Sequence, residues 1–262
     1  MNNSVQYIQG PSEEEINVFL EENLAAQFYI YAGKGILFKD SNEWFSLSIN
    51  NKVTALALVT LSAKNRHIYF LNNSDEPLII DFLKWVIAQI QGEFYIYTSS
   101  NFHPFFSKYY KKDYGNYLQM YLGIKDIIFP EGPILPLGME HLNKMMELYD
   151  SAYPGHWFEA WMLEQGYYFG YFKNECLVGI AGTNLINKKL GMASLGNWVT
   201  KVEERKQGIS TLLAQSLFAK LSDEGIHHLS LSVYHSHQHA IQYYKKMGFT
   251  PTLTYCYALI NI

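Results

Sequence analysis

A strand, a basic turn, a helix, a second strand and a second helix follow one another without interruption between Trp198 and Phe249. The turn contains Arg205, Lys206 and Gly208, and it leads directly from the first strand into the first helix. The N-terminus of a helix carries N–H groups without intrahelical partners and the positive end of the helix dipole. A glycine there lets the backbone approach an anion closely, and phosphate is the usual anion. This order of elements therefore predicts a phosphate-binding turn in a domain of mixed strands and helices.

Length and composition set broad limits on the kind of protein. The chain has 262 residues, enough for about two domains of ordinary size. Hydrophobic residues make up 48% and charged residues 17%, which is typical of a packed globular protein. The formal net charge is −4, so the chain lacks the basic field that would hold a nucleic acid.

The termini and the cysteines indicate where the protein works. Cys176 and Cys256 are too few for a disulfide framework or a zinc site. The segment Met1–Glu15 is polar and acidic, unlike a signal peptide, and no apolar run is long enough to span a bilayer. We therefore expect a soluble cytoplasmic protein with no membrane partner; the sequence predicts no oligomeric state.

The C-terminal half shows a regular series of elements. Leu213, Leu217 and Leu221 recur at helical spacing after the turn, and Gly225 is expected to end that helix. Lys173-Asn174-Glu175 has the composition of a hairpin turn. The expected strands are Ile134–Leu137, Tyr167–Phe172, Leu177–Leu185, Met192–Thr200, Leu229–Tyr234 and Thr254–Ile260, with a further helix at Met139–Tyr149.

The N-terminal half repeats this order more faintly. Its expected elements are helices at Phe19–Tyr31, Leu78–Ile90 and Phe105–Tyr110 and strands at Phe45–Ile49, Val53–Leu61, His67–Leu71, Phe94–Tyr97 and Tyr117–Leu122. Leu118 and Tyr255 stand 137 residues apart, and Phe94 and Ser230 stand 136 apart (255 − 118 and 230 − 94). Because the offsets agree to about one residue, they indicate an internal duplication.

The two halves differ at the phosphate turn. At the equivalent place the N-terminal half has the acidic run Asn72–Pro77, which would repel a pyrophosphate. A cluster of prolines and a glycine near Phe129–Pro136 marks the junction. We therefore predict a degenerate domain without a cofactor site at residues 1–130 and a cofactor-binding domain at residues 131–262.

Three segments of the C-terminal half together resemble a known family. They are Arg205-Lys206-Gln207-Gly208-Ile209-Ser210, the strand Leu229–Tyr234, and the run Ala240-Ile241-Gln242-Tyr243-Tyr244-Lys245-Lys246-Met247-Gly248-Phe249. Their order and spacing resemble the GNAT superfamily of acyl-CoA N-acyltransferases. Ser210 stands where the family more often has glycine or alanine, and His237 stands where it commonly has asparagine. The resemblance implies an α/β (α+β) fold with a mixed, mostly antiparallel twisted sheet flanked by helices, here duplicated in tandem.

The resemblance also implies acetyl-CoA as cosubstrate and an N-acetyltransferase activity. Backbone N–H groups of the turn would hold the pyrophosphate, and main-chain groups at the end of the preceding strand would pair with the pantetheine arm. The residues expected to bind the cosubstrate are Val199, Thr200, Arg205, Lys206, Gln207, Gly208, Ile209, Ser210, Thr211 and His237.

Tyr244 stands where the family places a general acid for the departing thiolate. A phenol with a reference pKa near 10 can donate a proton at neutral pH. A backbone N–H of Val199 or its neighbour would hold the oxyanion. Where many relatives have a glutamate as base, this chain has Asn197 and Ser232, and a water relayed by Asn197 or His235 stays open.

Two further segments invite interpretation. His235, His237 and His239 alternate, but the run bends into a helix, so a polar loop beside the cosubstrate is favoured and no metal site is predicted. The aromatic run Tyr153–Phe158, with Trp161, would form a lid over the acceptor or a hydrophobic seam between the halves.

The acceptor and the activity each leave alternatives. The expected acceptor is a primary amine of a small molecule or peptide, and an amino acid, a polyamine, an antibiotic or a protein N-terminus would all fit. A non-catalytic acyl-CoA sensor remains open because no base is evident. A tRNA-dependent aminoacyl transferase also uses paired GNAT-like halves, but the acidic isoelectric point and the intact turn argue against it.

Overall fold

A computed structural model describes residues 4–34, 37, 42–60, 66–73, 77–125 and 133–262. The N-terminal series is β1 (Val5–Gln9), α1 (Glu13–Glu22), α2 (Phe28–Gly33), β2 (Asn42–Ile49), β3 (Lys52–Thr60), β4 (His67–Asn72), α3 (Leu78–Ala88), β5 (Glu93–Ser99), α4 (His103–Phe106) and β6 (Tyr110–Gly123). The C-terminal series is β7 (Ile134–Pro136), α5 (Leu142–Ala152), α6 (Ala160–Glu164), β8 (Phe169–Lys173), β9 (Cys176–Asn187), β10 (Met192–Thr200), α7 (Ile209–Asp223), β11 (His228–Tyr234), α8 (Gln238–Lys246) and β12 (Thr250–Asn261). The two series have the same order of strands and helices, which confirms the predicted duplicated α/β fold.

The chain forms two compact units that cut across this order. The first unit contains Met1–Met120 and Ser232–Ile262, and the second contains Tyr121–Leu231. The C-terminal segment joins the first unit because β12 pairs antiparallel with β5, from Tyr255 opposite Ser99 to Asn261 opposite Glu93. The units therefore do not follow the expected boundary at residues 130 and 131. As a division between a degenerate repeat and a cofactor-binding repeat, that boundary stays a prediction.

The sheet of the first unit has the strand order β1-β2-β3-β4-β5-β12-β6. From β1 to β12 in this order the pairings are antiparallel, except for the parallel pair β4 and β5. One buried cluster, which includes Phe82 and Val86 of α3, packs against Ile96 and Ile260 of the sheet. A second cluster packs α1 and α2 against β3. Helices thus bury the apolar side chains of this sheet, as the amphipathic pattern of α3 predicts.

Tyrosine rings stack across neighbouring strands of the first unit. The ring centroids of Tyr69 on β4 and Tyr97 on β5 lie 4.5 Å apart, and those of Tyr97 and Tyr257 on β12 lie 4.7 Å apart. His67 stacks on the ring of Tyr95 at 5.3 Å. Burial raises the pKa of the Tyr69 and Tyr97 phenols well above the usual value, so these rings stay neutral.

Burial also lowers the pKa of His67, from 6.5 to about 4. Its Nδ1 is buried without a hydrogen-bond partner among the described residues, which makes a charged ring costly. The unfolded chain binds a proton below pH 6.5 that the folded chain binds only near pH 4, so stability falls as pH drops through this window. At pH 5 the loss is expected to be about 2 kcal/mol. Replacing His67 with Phe keeps a stacking ring and removes the titration.

Denaturant unfolding of the wild-type and His67→Phe proteins at pH 7.5 and pH 5 measures this effect. The wild type is expected to lose more stability than the variant between the two values, with the difference assigned to His67. An equal loss in both proteins would show that His67 titrates normally in the folded chain.

The sheet of the second unit has the order β11-β10-β9-β8-β7. β10 runs parallel to β11, with Met192 opposite His228, and antiparallel to β9. α7 packs closely on β9, because a Cβ at Gly179 would come within 2.9 Å of Ile209. The next residue, Ile180, belongs to a buried cluster with residues of α5 and α6. Successive strand residues point to opposite faces, so helices cover both faces of β9.

Some local expectations differ from the structure. The helix predicted at Phe19–Tyr31 is two helices, α1 and α2, and β1 was not predicted. Ser74–Glu76, which carry the acidic charges of the N-terminal turn, and half of the junction Phe129–Pro136 lie outside the described residues. Among the described residues, no helix has both the length and the apolar character that a membrane crossing requires.

Candidate active site in the second unit

The loop between β10 and α7 forms an exposed helix N-terminus. Gly208 occupies the N-cap position with a φ of 81°, and no side chain caps the helix. The N–H groups of Thr211 and Leu212 donate to the Gly208 carbonyl at 2.9 and 3.1 Å, which closes the first turn. The N–H groups of Ile209 and Ser210 precede these bonds and have no partner within the helix. The N-terminus of this 15-residue helix therefore offers backbone N–H donors and the positive end of the helix dipole.

Side-chain contacts hold the loop in place. Thr200 at the end of β10 and Ser210 in the first turn of α7 share a hydrogen bond of 3.0 Å between their hydroxyls. The Arg205 Nε donates to the Thr200 carbonyl at 3.0 Å. These bonds fix the start of the helix against the end of the strand.

The loop between β10 and α7 carries a net positive charge when the salt bridge of Glu204 with Lys173 is taken into account. Glu204 forms a salt bridge with Lys173 at 2.7 Å, and this hydrogen bond lowers the pKa of the Glu204 carboxyl. Arg205 and Lys206 are exposed, and Lys206 has a positive φ of 64°. Lys173 neutralises Glu204, and the exposed Lys201 offsets the exposed Glu203, so Arg205 and Lys206 leave a net positive charge at this helix N-terminus.

A β-bulge interrupts β10 three residues before it ends. Gly196 lies opposite Gly182 of β9, and Val199 lies opposite Ile180, so two residues of β10 face one of β9. The extra residue is accommodated at Asn197, whose φ is 58°. A bulge turns backbone groups out of the ladder, and bulges are frequent beside active sites.

The side chain of Asn197 forms the centre of a buried hydrogen-bond cluster. Its Nδ2 donates to the Asn184 Oδ1 at 2.9 Å and the Tyr168 hydroxyl at 3.1 Å, and the Trp157 backbone N–H donates to its Oδ1 at 3.1 Å. Its carbonyl oxygen accepts the hydroxyl of Tyr149 at 2.8 Å. Leaving one such buried group without a partner costs about 1–3 kcal/mol. With its amide engaged in this way, Asn197 is better suited to hold the bulge than to relay a proton.

Two glycines make room for this cluster. A Cβ at Gly182 would lie 2.2 Å from the ring of Tyr168, and one at Gly196 would lie 2.1 Å from the amide of Asn184. Glycine within a strand often marks a bulge or a close approach. These two glycines were the available sequence signal for the cluster, which the sequence interpretation missed.

The aromatic run between α5 and α6 lies in the second unit. The ring of Tyr149 stacks on His156 at 4.6 Å and on Phe158 at 5.3 Å, and Phe158 is buried. The side chains of Trp157 and Trp161 are 56% and 41% exposed. Part of the run is thus packing material and part faces solvent; the proposed acceptor lid and the seam between halves both stay predictions.

The predicted acid Tyr244 lies on α8 in the first unit. Its ring packs edge-on against Phe249 at 5.8 Å, and the Phe249 N–H donates to the Tyr244 carbonyl at 3.0 Å. Gly248 ends the helix with a φ of 96°. The run Ala240–Phe249, which carried part of the family resemblance, thus covers most of α8 and its C-terminal end. The role of Tyr244 stays a prediction.

His237 is the N-cap residue of α8, and its ring centroid lies 5.1 Å from that of Tyr234. His235 is exposed after β11, and its N–H donates to the Asn116 carbonyl at 2.9 Å. Within the described ranges, no group of three or more histidine, cysteine or acidic residues is placed to hold a metal ion. Cosubstrate binding by His237 stays a prediction.

Comparison with known proteins bears on this site directly. Residues 138–249 match the model of the Acetyltransferase (GNAT) family. No curated protein matches the chain significantly.

Several solved structures share the fold. A GCN5-related N-acetyltransferase from Sphaerobacter thermophilus is 14% identical, with a TM-score of 0.64 over 97% of this chain and 95% of the other. A GNAT-family acetyltransferase from Colwellia psychrerythraea is 15% identical, with a TM-score of 0.57 over 98% of this chain and 100% of the other. A tandem GNAT protein from the clavulanic acid biosynthesis pathway, solved without AcCoA, is 10% identical, with a TM-score of 0.52 over 98% of each chain.

The match to the Acetyltransferase (GNAT) family covers residues 138–249, which is less than half of the chain, and the solved structures show that the chain has the fold of that family. Together these findings support an acyltransferase. The matched stretch contains the bulge of β10, the basic loop and the start of α7. The tandem neighbour agrees with the repeated order of elements described above.

Proposed function

We propose that this protein transfers an acetyl group from acetyl-CoA to a primary amine of a small molecule or peptide. The observation that carries the proposal is the uncapped N-terminus of α7 at Gly208, with Arg205 and Lys206 beside it, in a stretch that matches an acetyltransferase family. Backbone donors, a helix dipole and two cations together suit a pyrophosphate.

The proposed cosubstrate site consists of the loop, the end of β10 and one residue beyond β11. N–H groups from Gln207 to Ser210 bind the pyrophosphate, and the main chain at Val199 and Thr200 pairs with the pantetheine arm. The full proposed set is Val199, Thr200, Arg205, Lys206, Gln207, Gly208, Ile209, Ser210, Thr211 and His237.

The proposed reaction is a direct attack. The amine nitrogen attacks the thioester carbonyl, the N–C bond forms, and the C–S bond breaks as the oxyanion collapses. A backbone N–H of Val199 or its neighbour stabilises the oxyanion, and Tyr244 donates its phenolic proton to the departing thiolate. The amine's proton leaves through water, for which the exposed His235 and Ser232 are the candidate relays.

The test combines cosubstrate binding with turnover. Calorimetry measures acetyl-CoA binding, and a panel of amines is screened for release of free thiol. The panel contains lysine, spermidine, an aminoglycoside and a short peptide, and acetyl-CoA without amine serves as the blank. Acetyl-CoA binding with amine-dependent thiol release is expected. A protein that neither binds acetyl-CoA nor releases thiol would contradict the proposal.

A sensor is the second candidate. The strand positions where many relatives have a glutamate base hold Asn197 and Ser232, and Asn197 is engaged in the buried cluster. Tight acetyl-CoA binding without thiol release for any amine, in a broad panel, would favour the sensor over the transferase.

We expect one molecule of acetyl-CoA to bind per chain. The equivalent helix of the first repeat, α3, begins with Pro77 at its N-cap, and this residue removes a backbone donor from the place that a phosphate needs. The acidic residues Asp75 and Glu76 also precede it in the sequence. Calorimetry with acetyl-CoA is expected to give a stoichiometry near one; a value near two would show that the first repeat kept its site.

A further inference from the structure

Asn197 connects β10, the strand proposed to bind the pantetheine arm, with the aromatic run Tyr153–Phe158, for which an acceptor lid is one of the two predictions. Its Oδ1 accepts the backbone N–H of Trp157 at 3.1 Å, across 40 positions of sequence. Its Nδ2 and its carbonyl oxygen bond to Asn184 on β9 and to Tyr149 on α5. One residue thus joins the bulge of β10, the neighbouring strand, α5 and the aromatic run.

The position demands an asparagine for two separate reasons. The bulge requires a φ of 58°, which glycine adopts freely and asparagine tolerates better than most residues. The cluster requires a short side chain with both a donor and an acceptor, which glycine lacks and aspartate supplies only in part. The side chain is almost fully buried, at 6% exposure, so water does not substitute readily for these partners.

The Trp157 contact is the part of the cluster that reaches a surface. Its N–H is held by Asn197, while its side chain is 56% exposed. The flanking residues are fixed on the protein side: His156 stacks on Tyr149, and Phe158 is buried beside the same ring. The cluster therefore fixes the position of the segment His156–Phe158, and of the exposed Trp157 side chain, relative to the bulge.

We propose that Asn197 is a positioning residue that holds His156–Phe158 against the bulge of β10 and so sets where the amine meets the thioester. The inference rests on the proposed function, which places the thioester beside β10, and on the acceptor-lid prediction for the aromatic segment. Asn197 touches neither reactant in this scheme and acts through Trp157 and through its own backbone.

Two substitutions separate the roles of the amide and the backbone. Asn197→Gly keeps the left-handed backbone and removes the whole side chain. Asn197→Asp keeps an oxygen for the Trp157 N–H and loses the amide donors to Asn184 and Tyr168. Asn184→Ala is the matched control, since it removes one partner of the amide and leaves the Trp157 bond in place.

Amide hydrogen exchange at Trp157, measured by NMR, reports the contact without any substrate. In Asn197→Gly the exchange of this amide is expected to rise by at least about 10-fold relative to amides of α7, which report global stability. Asn197→Asp and Asn184→Ala are expected to stay close to the wild type. Unchanged exchange at Trp157, or an equal rise throughout α7, would overturn the inference.

Kinetics test the functional half. With the most reactive amine of the panel, kcat of Asn197→Gly is expected to fall by about 10- to 100-fold, the scale of a small misplacement of reacting groups. The Kd for acetyl-CoA is expected to stay within about 3-fold because the basic loop is untouched. Asn197→Asp should recover part of kcat. Normal kcat in Asn197→Gly, despite a loosened Trp157, would overturn a positioning role.

Failure of the proposed function looks different. A wild-type protein that binds no acetyl-CoA, or acetylates no amine, overturns the transferase assignment and with it the kinetic role of Asn197. The Trp157 exchange in the same variants still decides whether Asn197 holds the aromatic segment.

Discussion

Replacing Gly208 with Asp is expected to weaken acetyl-CoA binding by about 100-fold. The carboxylate would lie at the N-terminus of α7, where it would repel the pyrophosphate and satisfy the helix dipole itself. The fold is expected to persist, because a Cβ at Gly208 meets no atom within 4 Å and aspartate tolerates a left-handed φ better than most residues. Calorimetry with acetyl-CoA, with circular dichroism to confirm folding, measures the effect.

Gly208→Asn is the matched control for this experiment. Asparagine has the same size and the same tolerance of the left-handed conformation, whose φ is 81° here, but it carries no charge. Its affinity for acetyl-CoA is expected to fall by only a few-fold. Equal affinities of the Asp and Asn variants would show that charge at this helix end does not matter to the ligand.

Replacing Tyr244 with Phe is expected to lower kcat by about 10²- to 10⁴-fold, the usual contribution of a general acid. The Kd for acetyl-CoA should hold, because the substitution removes a hydroxyl and keeps the ring that packs on Phe249. Steady-state thiol release at saturating acetyl-CoA measures kcat.

Tyr243→Phe provides the comparison for Tyr244→Phe. The two tyrosines are neighbours on α8, with ring centroids 5.5 Å apart, so both substitutions remove a phenol from the same helix. Tyr243→Phe is expected to change kcat little, since adjacent helical residues point in different directions. If both variants lose activity to the same extent, Tyr244 has no special part in the reaction.

The sequence predicted most of the local structure because its strongest patterns are local. The spacing of Leu213, Leu217 and Leu221 predicted α7, and all three are buried. Asn174 predicted a hairpin turn, and it has a positive φ of 49° in that turn. Asparagine tolerates this conformation, so its presence between two strand patterns is a physical signal.

What the sequence did not show depends on partners far away along the chain. The alternating pattern of Thr254–Ile260 predicted a strand but could not name β5 as its neighbour. The sequence leaves a proton relay open at Asn197, since its hydrogen-bond partners lie 13 to 48 positions away and leave no local pattern. Gly182 and Gly196 interrupt strands where these contacts form, and they are the trace that sequence reading could have followed.

The pairing of β12 with β5 has a consequence during synthesis. β5 ends at Ser99 and β12 begins at Thr250, so 150 residues must be made between them (positions 100 to 249). At about 5–20 residues per second, the ribosome needs roughly 8 to 30 s for that stretch. Until then β5 and β6 lack the strand that lies between them, and an open strand edge invites pairing with other chains. The part of the nascent protein that is synthesised first is therefore the part most prone to aggregate. A stop codon before Thr250 would leave the edges of β5 and β6 unpaired permanently.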